Sequence, residues 1–199
     1  MPYLDMMERS VRKLESFIKD VISYSRNARL PVKNEPINFD LLVRSLLDDH
    51  QFAPNFGSIE FKLANERVTE IFSDETRLRI ILNNLISNAI KFHDLSALHK
   101  KPFVLIKASG NDGHLVLTVE DNGRGIHEDY VNLIFNMFFR ATDSVQGSGL
   151  GLYIMKETVH KLGGTVEVTS ELGVGTRFIV TFPQNKPVVR AAPQAVHAR

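Results

Sequence analysis

Asn84-Leu-Ile-Ser-Asn88-Ala-Ile-Lys91-Phe92 is the stretch whose spacing decides how this chain is read. Asn84, Asn88 and Lys91 stand at i, i+4 and i+7, a single stripe of an α-helix. Leu85, Ile86, Ala89 and Ile90 fill adjoining positions and continue an apolar side begun by Leu78, Ile81 and Leu82. Two carboxamides and an ammonium beside an apolar face describe either a pocket wall or the polar surface of an amphipathic helix. Two further boxes bear on that choice. Asp121-Asn-Gly123-Arg-Gly125 follows an alternating apolar run, and Gly147-Ser148-Gly149-Leu150-Gly151 opens another helical pattern.

Each box suits one part of a nucleoside triphosphate. A carboxylate at Asp121 only accepts hydrogen bonds, so it suits the 6-amino group of adenine and repels the 6-oxo group of guanine. ATP is therefore expected over GTP. Gly123 and Gly125 permit close approach of backbone to a flat base, although Asp-Asn-Gly is also an ordinary turn. The stretch from Thr142 to Gly151 is too polar to pack and leads into a helix. Backbone N–H groups there would bind anions with help from the Ser148 hydroxyl, unless the segment is a plain flexible loop. Mg²⁺ takes oxygen ligands and keeps much of its shell from water and phosphate, so one amide oxygen from Asn88 is a sufficient contribution. Lys91 would meet phosphate as a point charge. The two commonest nucleotide motifs are excluded. No glycine-rich loop ends in Gly-Lys-Ser/Thr, and the last box reads G-x-G-x-G rather than G-x-G-x-x-G.

Working outward, Ser73 or Asp74 is expected to open the helix of the first box. The runs Phe103–Lys107 and Leu115–Val119 read as strands joined by the hairpin signal Asn111-Asp-Gly113. A short helix to Phe139, the polar loop and a helix from about Gly149 to Leu162 follow. Thr165–Ser170 and Thr176–Phe182 then make a last hairpin. Upstream, Asn38 or Asp40 caps a helix carrying Leu41, Leu42, Leu46 and Leu47, and Ile59–Leu63 alternates as a strand; Ile71-Phe72 is a second, shorter one. The expected class is α+β, a two-layer α/β sandwich with helices on one face of a mixed, mostly antiparallel sheet.

Residues 1–30 read as a separate element. Leu4, Met7, Val11, Leu14, Ile18 and Val21 recur at steps of three and four, the spacing of a coiled-coil seam. Phe17, Ile22 and Tyr24 widen the stripe toward a helical bundle. With no obvious mate in the remaining sequence, this helix is expected to dimerise or dock; packing on its own domain is the alternative. Leu30-Pro31 ends it, and Val32–Asn38 is a linker or edge strand. The second unit is 31–183, and the Pro-, Ala- and Gln-rich residues 184–199 are expected to be a disordered tail.

Composition narrows the function classes. At 199 residues, 43% hydrophobic and 24% charged, the chain has the make-up of a soluble globular protein. A net charge of +1 offers no electrostatic case for nucleic acid. Zero cysteines remove disulfides, thiolate zinc sites and cysteine nucleophiles, and fit a reducing compartment. No apolar run has the length of a membrane span and no signal peptide opens the sequence, so a cytoplasmic location is expected.

The boxes carry a resemblance. Asn-Leu-Ile-Ser-Asn-Ala-Ile-Lys-Phe, Asp-Asn-Gly-Arg-Gly-Ile, Ile-Phe-Asn-Met-Phe-Phe-Arg and Gly-Ser-Gly-Leu-Gly-Leu resemble the N, G1, F and G2 boxes of bacterial sensor histidine kinases. These belong to the gyrase, heat-shock chaperone and MutL ATPase superfamily with the Bergerat nucleotide fold. The resemblance spans roughly Asn38 to Pro183. It implies an ATP-binding catalytic domain with Asn88 as Mg²⁺ ligand, Asn84 and Lys91 beside it, and Asp121 at adenine. Phe92, Gly123, Gly125, Ile126 and Thr176 complete the implied nucleotide site. Phe138, Phe139 and Arg140 would pack or anchor an ATP lid reaching to Gly147, with Ser148, Gly149, Leu150 and Gly151 as the phosphate loop.

The N-terminal helix resembles the second helix of that family's dimerisation and phosphoacceptor hairpin, which makes a homodimer through it an expectation. None of the seven histidines has the flanking residues of a phosphoacceptor. His127-Glu-Asp is the nearest imitation but falls in the G1 region, so the 199 residues are read as a fragment that does not phosphorylate itself at the usual residue. Hydrolytic branches of the superfamily resemble one another in placing a glutamate four residues before the metal asparagine. Here that position is Asn84, whose amide has no usable basicity near neutral pH. The implied activity is transfer of the γ-phosphoryl group of Mg·ATP to a histidine, then relay to a response-regulator aspartate. The alternative is a degenerate nucleotide-binding module for dimerisation or docking.

Overall fold

The computed structural model describes residues 2–66, 71–93, 100–111, 113–142 and 147–184. The 185–199 part of the expected tail, the 143–146 part of the expected lid and Asp112 of the hairpin signal lie outside them.

The long first helix, α1 (Pro2–Arg29), leads into β1 (Glu35–Ile37), α2 (Phe39–His50), a single 3₁₀ turn (Phe56–Ser58), β2 (Glu60–Glu66) and β3 (Ile71–Ser73). Then come α3 (Glu75–Lys91), β4 (Phe103–Asn111), β5 (His114–Asp121), α4 (Glu128–Val131), α5 (Gly151–Lys161), β6 (Thr165–Glu171) and β7 (Gly175–Pro183). Five strands form one sheet in the order β2-β4-β5-β7-β6. β2 runs parallel to β4 and every other neighbouring pair is antiparallel. The expected α+β sandwich with a mixed, mostly antiparallel sheet is what forms.

Alternation assigns the faces. Leu115, Leu117 and Val119 of β5 are at most 2% exposed, as are Val104, Ile106 and Ala108 of β4. They meet α3, whose Leu78, Ile81, Leu82, Leu85, Ile86, Ala89 and Ile90 are buried, and α5, which contributes Ile154, Met155 and Val159. Asp121 is the next position of the same parity after Val119, so the alternation that builds the core aims its carboxylate into the helix layer. Its register partner on β7 is Thr176, the first inward position of that strand.

Local signals hold at most boundaries. Asn38 Oδ1 accepts the Leu41 N–H at 3.0 Å and Asp74 Oδ1 accepts the Arg77 N–H at 3.0 Å, so both helices start on side-chain caps. Four expectations shift. The helix expected to reach Phe139 stops at Val131 and continues as turns, while α5 begins at Gly151 rather than near Gly149. The short strand expected at Ile71-Phe72 does form, as Ile71–Ser73, and pairs antiparallel with Glu35–Ile37 in a separate two-stranded sheet. In α2, Leu41 is 64% exposed whereas Val43 is fully buried, because the core-facing stripe runs through Phe39, Leu42, Val43 and Leu46.

The fourth concerns α1, which has a mate in this chain. Its C-terminal end docks on α3 and α5 through a buried polar cluster. Arg77 of α3 is 3% exposed. It donates to Asn27 Oδ1 (3.1 Å), and to the carbonyls of Asn27 (3.2 Å), Leu30 (2.6 Å) and Pro31 (3.2 Å), while pairing with Asp74. Lys161 of α5 donates to the Asn27 and Ala28 carbonyls, each at 2.6 Å. Cations reaching in from two other helices thus satisfy carbonyls that the end of α1 leaves open. The apolar stripe from Leu4 to Val21 is a different face, and its six residues are 43–66% exposed.

Candidate functional site

A cavity of about 810 Å³ lies between α3, the end of β5 with the loop that follows, and the start of α5. That is the size of a cofactor-scale ligand site. Its α3 wall is built by helical spacing: Asn84, Asn88 and Lys91 line it with Phe92, joined by Asn83 and Ser87. The Asn84 carboxamide is turned along its own helix, Nδ2 donating to the Ile80 carbonyl at 2.8 Å. Burial lowers the pKa of the Lys91 ammonium, and the Asp20 carboxylate pulls it back up.

The second wall is the strand end. Burial raises the Asp121 carboxyl from its ordinary 3.8 to about 6; the backbone N–H groups of Gly123 and Thr176 oppose that shift and Glu120 adds to it. Gly123 N donates to Asp121 Oδ1 at 2.8 Å. Such a group is ionised at neutral pH yet sits close to its protonation point, a condition that clusters at functional sites. The loop beyond it turns tightly. Gly125 has φ +68°, and a Cβ there would sit 1.9 Å from the Glu171 carbonyl oxygen, so neither the dihedral nor the space admits another residue. Arg124 N donates to the Phe92 carbonyl at 3.1 Å, tying this loop to the last turn of α3. Ile126 and Thr176 complete the wall.

The third wall is the phosphate-loop candidate. Gly147, Ser148, Gly149 and Gly151 line the cavity, so the open N–H groups of the 11-residue helix α5 face it. A Cβ on Gly151 would lie 2.5 Å from Asn84 Oδ1, which is how closely α5 starts against α3. Phe139 and Arg140 line the cavity as well.

Residues 73–186 match the model of the family described as histidine kinase-, DNA gyrase B-, and HSP90-like ATPase. The chain belongs to this ATPase family. As a member it carries an ATP-binding domain. The chain is 30% identical over 188 residues to the autoinducer 2 sensor kinase/phosphatase LuxQ of Vibrio parahaemolyticus, a match covering 90% of this chain and 22% of that protein. It is 30% identical over 190 residues to the aerobic respiration control sensor protein ArcB of Escherichia coli, covering 90% and 24%. Among solved structures it resembles full-length ShkA in complex with AMPPNP at TM-score 0.76 and 30% identity, over 96% of this chain and 40% of that one. The chain thus spans about a quarter of the length of these curated relatives.

Against that family frame, the geometry separates the residues singled out from sequence. Three of them do not line the cavity. Gly123 serves through its N–H to Asp121, Leu150 is 5% exposed in the packed start of α5, and Phe138 points away at φ 65° to stack on Phe17 of α1 (centroids 6.3 Å). Ser148 does line it, but its hydroxyl donates to Asp20 Oδ2 instead of standing open. Several lining residues escaped sequence reasoning. Ser87 was within reach, since it shares the stripe of Asn84, Asn88 and Lys91. His127 and Tyr130 form a ring ladder with Phe139 at centroid distances of 5.9 and 5.8 Å. No local motif announces that ladder, and none announces Asp20.

Proposed function

We propose that this chain is the ATP-binding catalytic part of a sensor histidine kinase, transferring the γ-phosphoryl group of Mg·ATP to a histidine on a helical hairpin. The observation that carries this reading is the meeting, in one cavity, of an inward carboxylate on β5, a carboxamide-and-ammonium stripe on α3 and the N-terminus of α5. Adenine would donate its 6-amino hydrogens to Asp121. The phosphates would run along α3 past Lys91 toward Asn84 and the Gly147–Gly151 loop. The γ-phosphorus–oxygen bond to the β-phosphate breaks as an imidazole nitrogen bonds to phosphorus, and ADP leaves with the electron pair. Positioning and charge neutralisation supply most of the catalysis in such a transfer.

Among the described residues no cluster of three His, Cys, Asp or Glu side chains could hold a resident metal. That donor set fits Mg²⁺ arriving with the triphosphate and taking one amide oxygen, for which Asn88 is the candidate. Bound there, the ion would neutralise phosphate charge. No acid four residues before Asn88 stands ready to activate water, since Asn84 holds that place with its amide on Ile80. ATP would therefore persist until an imidazole arrives.

The phosphate is proposed to pass onward to an aspartate of a response-regulator receiver domain. The division into a hairpin helix at 1–30 and a catalytic domain at 31–183 belongs to the same reading, as does a homodimer formed through α1. No helix among the described residues is long and apolar enough to cross a membrane; on this reading the domain works in the cytoplasm. The test is to mix the protein with Mg·ATP and a separate phosphoacceptor hairpin and assay acid-labile phosphohistidine. Nucleotide binding without transfer would instead favour a docking module.

A further inference from the structure

Asp20 of α1 lines the cavity. Its Oδ2 accepts the Ser148 hydroxyl at 2.5 Å, and Ser148 Oγ accepts the Leu150 N–H at 3.1 Å, just ahead of α5. Lys91 lines the same cavity, and the Asp20 carboxylate pulls the pKa of its ammonium up against the lowering by desolvation. A hydroxyl, an ammonium and the approach to a helix N-terminus are the three features that would hold a phosphate here. In this structure the hydroxyl is held by a carboxylate of the chain itself, which shares the cavity with the ammonium.

Phe17, Asp20, Tyr24 and Asn27 recur at steps of three, four and three, so they share one face of α1. Phe17 stacks on Phe138 beside the lid, Tyr24 packs on Tyr153 of α5 at 5.8 Å, and Asn27 Nδ2 donates to Thr158 Oγ1 at 2.9 Å. Phe17 and Tyr24, which widen the seam stripe in the sequence, thus face the domain, while the six seam residues from Leu4 to Val21 stay uncovered with Asp20 seated. Along α3 the cavity has a direction. The Asp121 loop is tied to Phe92, and α5 meets the helix at Asn84, eight residues or about 12 Å away. A polyphosphate laid from Asp121 along α3 thus brings its last phosphate toward Ser148 and Asp20.

We propose that Asp20 is a built-in competitor for the terminal phosphate, so that a nucleoside triphosphate must expel it together with this face of α1, whereas a diphosphate leaves it seated. The inference rests on the cavity being the nucleotide site. Carboxylate and phosphate repel, and the single proton of the Ser148 hydroxyl cannot serve both. Because coupling between sites is reciprocal, whatever draws α1 off the lid also raises affinity for the triphosphate. Asp20 thereby sets which nucleotide releases the helix.

Calorimetric titration with Mg·ATP and with ADP tests this on the wild type, Asp20→Ala, Asp20→Asn and Phe17→Ala. Asp20→Ala is expected to bind Mg·ATP on the order of tenfold tighter, with ADP affinity nearly unchanged. Asp20→Asn, which keeps the shape without the charge, and Phe17→Ala, which loosens the helix but keeps the carboxylate, should shift in the same direction. The absence of cysteine permits paired spin labels at Leu14→Cys and Leu41→Cys. A non-hydrolysable ATP analogue should broaden the distance distribution between them, and ADP should not. Unchanged Mg·ATP affinity in Asp20→Ala, or labels indifferent to the ATP analogue, overturns the role of Asp20 while ADP binding leaves the nucleotide reading standing. If no adenine nucleotide binds any of the four proteins, the nucleotide reading itself is lost.

Discussion

Arg77 Nε donates to Asn27 Oδ1 at 3.1 Å across fifty residues of sequence, joining the first turn of α3 to the end of α1. The guanidinium and its Asp74 partner have side chains 4% exposed. Five of the bonds in this cluster run from Arg77 to groups outside the Asp74 pair or from Lys33 N to Asp74 Oδ2.

Removing one member of a buried charged pair strands the other, at a cost of about 3–5 kcal/mol. Arg77→Ala should therefore unfold at markedly lower denaturant, and the Asn27, Leu30 and Pro31 carbonyls should accept from water instead. Hydrogen exchange at the last turn of α1 is expected to rise beyond the global change. A stability loss under about 1 kcal/mol would mean that the cluster is not a fastening.

Asp121→Asn exchanges an acceptor-only carboxylate for an amide and removes a charge-assisted bond of about 1.5–3 kcal/mol. ATP affinity should fall about tenfold or more. Equal affinity in titration calorimetry would take Asp121 out of the adenine role.

The raised pKa adds a pH signature. Ligand that prefers the ionised form should bind more tightly as pH rises through about 6, and level off above it. Asp121→Asn, which shares every phosphate ionisation but lacks this group, should lose that inflection. The sign for folding is opposite. A carboxyl whose folded value lies above its ordinary 3.8 favours the folded state below that pH, and the contribution is lost as pH rises through about 6. The wild type should accordingly gain stability relative to Asp121→Asn on acidification across that window, measured by chemical denaturation.

Asn88→Ala should leave nucleotide affinity nearly the same with Mg²⁺ or with chelator, whereas the wild type should bind more tightly with Mg²⁺. Titrations under both conditions decide it; an undiminished Mg²⁺ effect in the variant would reassign the ligand.

Leu82 and Leu41 read the register of the two core helices. Leu82 is fully buried, so Leu82→Ala is expected to cost about 2–5 kcal/mol. Leu41 is 64% exposed, and Leu41→Ala should change stability by no more than about 0.5 kcal/mol. Comparable losses in urea denaturation would contradict the packing described for α2.

Local chemistry made most elements readable in advance. The caps at Asn38 and Asp74, the alternation in β5 and β7 and the i, i+4, i+7 stripe on α3 depend on neighbours a few residues apart. Ser87 belonged to the same stripe and was legible by the same rule. Leu41 was counted in the apolar stripe of α2 and the buried Val43 was passed over, because an apolar letter on a helix does not say which side faces the sheet. At Gly151, where α5 starts, the close approach to Asn84 belongs to the packing of two helices and not to any local pattern.

By itself the sequence determined the boxes, their order and the parity that turns Asp121 inward, because periods of 2 and 3.6 and the acceptor-only nature of a carboxylate are local properties. Tertiary structure alone decided that Ser148 holds Asp20, 128 residues away, that Phe138 turns out to Phe17, and that Arg77 and Lys161 close the end of α1. Those pairings depend on where two helices come to rest against each other, and a hydrogen bond between distant segments leaves no period in the chain.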